Sequence, residues 1–490
     1  MERGMNKLAE KMATLRETSA IRTVNAFINS KYMIALLAVS TIFAHVFKLE
    51  IFLYGLMAIT FVYSCLFGRD LLFLAPAVVF AYIAPAVCNN IEIYPEKSLF
   101  YTPLFLRCMV AFLIPAVVCF VFRVCTDFDF VKFFTEKRKL TLGFLIMGVA
   151  FFLGGTGYNE YTPKNLSYAL TIFAAWFFLY FILTETVKWK DVPKDYFAWT
   201  AFFVAFTVMA ELINVYVVNN VIQKDGSIWR NQIYTGWGIY NNMGAMLLSC
   251  MPGAFYLATV KKHGVIFNFL GNLVFLAIIL TNSRSAILMG ALVYICCAVV
   301  TLFCGKTNRK SNAVFFIIIV VSVLAFAIVF REKIGRLFSM ILDFKRGDGD
   351  RLEIYRQGLK QFSESPIFGQ GFFACHAYKW FKEGNLLYWH NTFIQMLASY
   401  GLVGLAAYLF HRYQTVKLFL LNRNVAKTFI GLCISGILLT SLLDCHLFIP
   451  GPACFYSILL SFAEKSGETE SESDNFFANY ILRKQKRKEC

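Results

Sequence analysis

His390 and Asn391 are followed, after nine intervening residues, by Gly401 and then by Gly404, giving H-N-x9-G-x-x-G. An imidazole with an ordinary pKa of about 6.5 takes or gives a proton at neutral pH, so His390 is a candidate general base or acid. Asn391 beside it can fix the ring or bind a sugar hydroxyl. Arg284 lies in LTNSRSAIL, next to a Thr-Asn-Ser cluster rich in hydrogen-bonding groups. A guanidinium is always charged and grips phosphate with two parallel hydrogen bonds, which suits a pyrophosphate-bearing substrate. The alternative for Arg284 is an interfacial arginine that snorkels to the headgroups. Arg351 and Arg356 fall on the stretch DRLEIYRQGLKQFS and form a second candidate phosphate clamp. Pairing with Asp348, Asp350 and Glu353 is the plainer account of them.

Two further candidates stand in apolar surroundings. Glu211, in MAELINVY, is a carboxylate inside an apolar run and needs a partner, an arginine of the site being one possibility. Tyr240-Asn241-Asn242 opens another apolar run and is a candidate glycan-binding segment, Asn242 included, with a helix cap as the alternative. No H-E-x-x-H, phosphate-loop or dinucleotide fingerprint is present, and the cysteines form no C-x-x-C pair. Asp348 and Asp350 can hold a divalent cation, but pairing with Arg351 explains them as well. We therefore expect no metal and no cofactor.

The elements that must position these groups are membrane helices. The chain is 58% hydrophobic and 16% charged, with mean hydropathy +0.59, against about 45–50% and about 25% for soluble domains. Fourteen apolar runs are legible, at 32–47, 51–67, 71–88, 102–122, 140–155, 167–186, 197–218, 238–260, 265–280, 285–304, 313–330, 390–410, 428–444 and 447–463. The first two and last two are short, so twelve to fourteen spans are expected. The resulting fold class is an all-α polytopic membrane protein. The net charge of +17 is not spread as a basic stripe with interleaved aromatics, so nucleic-acid binding is not expected. Lys and Arg fall instead in alternate loops, at 123–139, 187–195, 261–263, 305–312 and 411–427 and in the tail. By the positive-inside rule those loops and both termini are cytoplasmic.

This divides the chain into a cytoplasmic N-terminal segment (1–31), eleven spans (32–330), a large extracytoplasmic loop (331–389), three more spans (390–463) and a cytoplasmic tail (464–490). Within the loop, Leu352, Ile354, Tyr355, Leu359 and Phe362 have near-helical spacing. They predict an amphipathic helix over 350–363, lying on the membrane surface or against the bundle. Ser365-Pro366, then Gly369 and Gly371, should end it in a turn. Gly401 and Gly404 should allow close helix packing beneath His390. His390, Arg284 and Arg351 then share the outer side.

Four segments in order resemble the O-antigen ligase and polysaccharide polymerase family of bacterial envelope enzymes. They are Gly238-Ile-Tyr-Asn241-Asn242, Ser283-Arg284-Ser-Ala-Ile-Leu288, the stretch from Arg351 to Gly371, and His390-Asn391 with Gly401 and Gly404. The resemblance implies a metal-independent glycosyltransferase of the bacterial cytoplasmic membrane, and a base opposite the leaving group favours direct displacement with inversion. It implies an undecaprenyl-pyrophosphate-linked glycan as donor and a glycan or lipid-linked acceptor. By position, Arg284 and Arg351 would bind the pyrophosphate and His390 would activate the acceptor or stabilise the leaving group. A lipid-linked oligosaccharide flippase is the competing reading, since it has a similar number of spans; it would place charges within several spans along a central cavity.

Overall fold

The computed structural model describes residues 11–12, 14–85, 103–127, 138–159, 161–223, 227–305, 308–329, 331, 335, 348–372, 388–421 and 423–466. The expected cytoplasmic tail beyond residue 466 and most of the loop 331–389 lie outside them, as do the side chains of Asp348 and Asp350.

The molecule is a bundle of helices. In chain order they are α1 (Ser19–Ile28), α2 (Lys31–Phe47), α3 (Glu50–Leu66), α4 (Leu74–Ile83), α5 (Pro103–Asp127), α6 (Thr141–Leu153), α7 (Pro163–Thr186) and α8 (Tyr196–Val218). A short hairpin, β1 (Tyr234–Thr235) and β2 (Gly238–Ile239), pairs Tyr234 with Ile239 and Thr235 with Gly238. Then follow α9 (Tyr240–Val260), α10 (Gly264–Leu280), α11 (Arg284–Cys304), α12 (Arg309–Val329), α13 (Asp348–Glu364), α14 (Thr392–Leu420), α15 (Val425–Ser441) and α16 (Pro450–Lys465).

Six of the described helices are long and apolar enough to cross a bilayer, and α1 with α2 makes a seventh span if that pair, bent by 57°, is counted as one. Five shorter apolar helices accompany them. Broad apolar faces point outward, such as Val110, Leu113, Ile114, Val117 and Val118 on α5. Water would penalise such faces and lipid does not. The centre of the bundle is α9, of which 94% of the apolar window is buried. Small residues let its neighbours close in: a Cβ on Gly244 would lie 2.6 Å from the Ala286 Cβ, and one on Gly253 would lie 2.6 Å from the Ala201 Cβ.

Two expectations need correction. The span expected at 390–410 continues as helix to Leu420, because Arg412, Gln414 and Lys417 are good helix formers and His411 and Thr415 are buried against the bundle. Gly401 does more than permit packing. It breaks α14, with φ 62° and ψ −157°. The turn after α13 fills the break: Gln370 N–H donates to Ala398 O (2.9 Å) and Gly371 N–H to Ser399 O (3.0 Å). In return, Leu402 N–H donates to Pro366 O (2.9 Å) and Val403 N–H to Ile367 O (3.2 Å). Backbone groups freed inside a membrane protein need such partners. The same stitching lays α13 against the first half of α14, where Ile354, Trp389 and Ala398 form a small core. Of the two placements open for the loop helix, the structure has it on the bundle.

Candidate active site

The starts of α9, α11 and α14 and the end of α15 meet at one end of the bundle. Each brings a polar group there for a local reason. Asn391 is the N-cap of α14, accepting from Phe393 N–H (2.9 Å) and Ile394 N–H (3.2 Å). Its amide donates to Leu442 O (3.0 Å), and Thr392 donates to Ser441 O (2.8 Å). These bonds tie the start of α14 to the end of α15. His390, just before the cap, has φ 49°. A left-handed histidine costs energy that the surroundings must supply, and such residues cluster at functional sites. Tyr355 of α13 donates to the His390 carbonyl (3.3 Å) and helps to hold this conformation.

The histidine faces a carboxylate. His390 Nδ1 lies 2.7 Å from Asp444 Oδ1. Asp444 sits in the turn after α15, 8% exposed. Its other oxygen, Oδ2, accepts from Asn241 Nδ2 (2.8 Å), and Asn241 Oδ1 accepts from Ser283 Oγ (2.8 Å). Ser283 is in turn the N-cap of α11, accepting from Ala286 N–H (3.4 Å), and Arg284 is that helix's first residue. Two hydrogen bonds thus join Asp444 to the residue that sets Arg284. Burial raises the Asp444 carboxyl, but the charge and hydrogen bond of His390, with the charges of His446 and Arg351, outweigh this. Its pKa is held well below the usual carboxylate range. An ionised carboxylate only accepts, so in the neutral imidazole Nδ1 carries the proton and Nε2 the lone pair. The same charge interaction places the guanidinium of Arg351 within electrostatic reach of Asp444.

The other sequence candidates are not gathered here. The Arg356 side chain is 80% exposed and faces Glu353 at 3.8 Å, one turn away on its own helix. Asn391 has both ends of its amide engaged with backbone, which fits an orienting role. Asn242 is buried and packs on Gly238; its neighbour Asn241 is the one that reaches Asp444. Among the described residues Glu211 pairs with no arginine. It accepts from Trp237 Nε1 (2.8 Å) and faces His45 Nδ1 at 3.6 Å. No group of three or more metal-ligating side chains occurs among the described residues.

Sequence reading missed Asp444, and with it the link that Asn241 and Ser283 make from Asp444 to Arg284. A signal for Asp444 did exist: it is an ionisable residue at the end of an apolar run, on the same side as His390.

Residues 269–409 match the family model for O-antigen ligase. The resemblance drawn from the four motifs therefore stands. The matched segment contains Arg284, Arg351 and His390, whereas Asn241 and Asp444 flank it on either side. No curated protein matches the chain.

Proposed function

We propose that this chain is a membrane glycosyltransferase that ligates or polymerises glycan. In this reading the donor is a glycan on undecaprenyl pyrophosphate, used at the outer face of the bacterial cytoplasmic membrane. The observation that carries the proposal is the 2.7 Å contact between His390 and Asp444, beside Arg351 and two hydrogen bonds from the cap of Arg284.

His390 Nε2 takes the proton of the acceptor hydroxyl as its oxygen bonds to the anomeric carbon. The bond from that carbon to the pyrophosphate oxygen breaks, and the pyrophosphate leaves with the electron pair. Asp444 holds Nδ1–H and balances the imidazolium that forms. Arg284 and Arg351 supply positive charge to the leaving group, so the scheme has no step that requires a metal. Attack opposite the leaving group inverts the anomeric centre. The bundle axis is filled by α9, which favours this reading over a flippase with a central polar path.

The test uses purified protein, lipid-linked donor and acceptor, with donor binding and product formation measured separately. His390→Ala should lower transfer by about 10²–10⁴-fold and leave donor binding largely intact. His390→Gln should not rescue it. Wild-type turnover by either variant removes His390 from the mechanism.

A further inference from the structure

A second polar site lies at the other end of the bundle. A helix rises about 1.5 Å per residue, so Lys261, just past the end of α9, stands roughly 30 Å from Tyr240 at its start. There, α1, the start of α2, the turn between α3 and α4, the turn before α8 and Lys261 enclose a cleft of about 820 Å³. Small-molecule sites run to about 300–1,000 Å³. None of the residues assigned to glycan transfer lines it.

Five cations and four carboxylates line the cleft, close to balance. Most are committed to each other. Arg22 is held by Glu17, Arg69 by Asp191 (2.8 Å) and Lys261 by Asp195 (2.5 Å). Asp70 is taken by Asn29 Nδ2 (2.8 Å) and Leu72 N–H (3.1 Å). Lys31 differs. Its ammonium lies 5.0 Å from the Trp199 ring and 5.3 Å from the Tyr32 ring, and it makes no ion pair with any described residue. Trp199 is fixed by its own bond to Asp195 (2.7 Å), and Lys261 lies 5.9 Å from the same ring. The wall is therefore an indole flanked by two ammonium groups. Asp191, also in the lining, is half-exposed, and among the described residues its counter-ion is Arg69.

The setting is that of a lipid interface. Aromatic and lysine side chains mark the level where hydrocarbon gives way to headgroups. α1 turns 57° away from α2 at this level. It exposes Val24 and Phe27, and α2 continues the apolar surface with Tyr32 and Leu36. Acyl chains would cover that surface.

We propose that this cleft holds the headgroup of a zwitterionic glycerophospholipid, its phosphate at Lys31 and its primary ammonium at Asp191. The near-balance of charge in the lining favours a zwitterion over a purely anionic lipid. The apolar surface beside the cleft favours a lipid over a soluble phosphate.

Native mass spectrometry of the full chain tests this, with dioleoyl-phosphatidylethanolamine, dioleoyl-phosphatidylglycerol and soluble phosphoethanolamine titrated separately. The ethanolamine lipid should be retained over the glycerol lipid, and soluble phosphoethanolamine should be retained poorly. Lys31→Gln should weaken lipid retention about fivefold, the contribution of one cation at a headgroup phosphate. Asp191→Asn should abolish the preference for ethanolamine over glycerol. Lys31 is exposed, and a thermal melt checks that each variant is folded. Should Lys31→Gln fold poorly, Lys31→Arg keeps the charge and should keep the lipid. Unchanged retention by Lys31→Gln, or loss of lipid by folded Lys31→Arg, overturns the proposal. So does equal retention of the two lipids by wild type, or retention of soluble phosphoethanolamine as strong as that of the lipid.

Discussion

Asp444→Asn is the sharpest perturbation of the proposed mechanism, because it removes one charge and almost no volume. In the native site Oδ1 accepts from His390 and Oδ2 from Asn241, so both oxygens must be acceptors. An asparagine at 444 has one oxygen and one NH2. If the oxygen stays on His390, the new NH2 meets the Asn241 NH2. Asn241 can answer by flipping its amide, which presents its oxygen to residue 444 and its NH2 to Ser283. Ser283 Oγ can still accept, since its proton can turn to Ser285 Oγ, 3.3 Å away. The fold and the imidazole tautomer thus survive, and what is lost is the counter-charge for the imidazolium. A hydrogen bond to a charged group contributes about 1.5–3 kcal/mol. Lost only in the transition state, that amounts to about 10- to 150-fold in rate. The assay is product formation from lipid-linked donor by purified enzyme, with donor binding and thermal stability followed alongside. Asp444→Asn should slow transfer within that range while donor binding and folding stay near wild type. Wild-type turnover by a folded Asp444→Asn protein would refute the argument that this carboxylate supports the base.

Three other outcomes follow from the same geometry. Arg284→Lys should lose most transfer and weaken donor binding at normal abundance, because an ammonium cannot reproduce a bidentate grip on phosphate; full activity in both Arg284→Lys and Arg284→Ala would make it an interfacial anchor only. Gly401→Ala should destabilise the protein by about 1–3 kcal/mol, since its Cβ would sit 2.4 Å from Ile367 O at a φ of 62°; an unchanged melting temperature in detergent would show that the turn 366–371 is not locked into α14. The pH dependence has a definite sign. The Asp444 carboxyl is lowered on folding, so the stability it contributes is present above its unfolded value of about 3.9 and is lost as the pH falls below that toward the folded value; melts from pH 7 to 3 should show an acid-labile component in wild type that is absent from Asp444→Asn.

The helices were legible because each apolar run is itself the reason for the helix. A stretch such as 197–218 must satisfy its backbone internally wherever lipid surrounds it, and the observed α8 spans Tyr196–Val218. Arg284 and His390 were legible because a charge or an imidazole at the edge of such a run has a cost that only function or snorkelling explains. Asp444 meets the same criterion but lies 54 residues from His390, at the end of a run that reads as one more span. Local pattern carries the hydropathy of that run and nothing about which other helix end it will touch. Asn241 could not be told apart from Asn242 for a related reason. Asn241 and Asn242 are chemically identical and adjacent, and only the rotation of α9 decides that Asn241 turns to Asp444 while Asn242 packs on Gly238. Gly401 shows the limit from the backbone side. Glycine in an apolar helix most simply means close packing, and its left-handed break exists only because Pro366 and Ile367 offer carbonyls to the amides beyond it. What escaped the sequence was therefore pairing across distance. In this bundle the same long-range pairing that stitches α13 to α14 also brings Arg351 within electrostatic reach of Asp444, so the structural break and the candidate catalytic geometry have one cause.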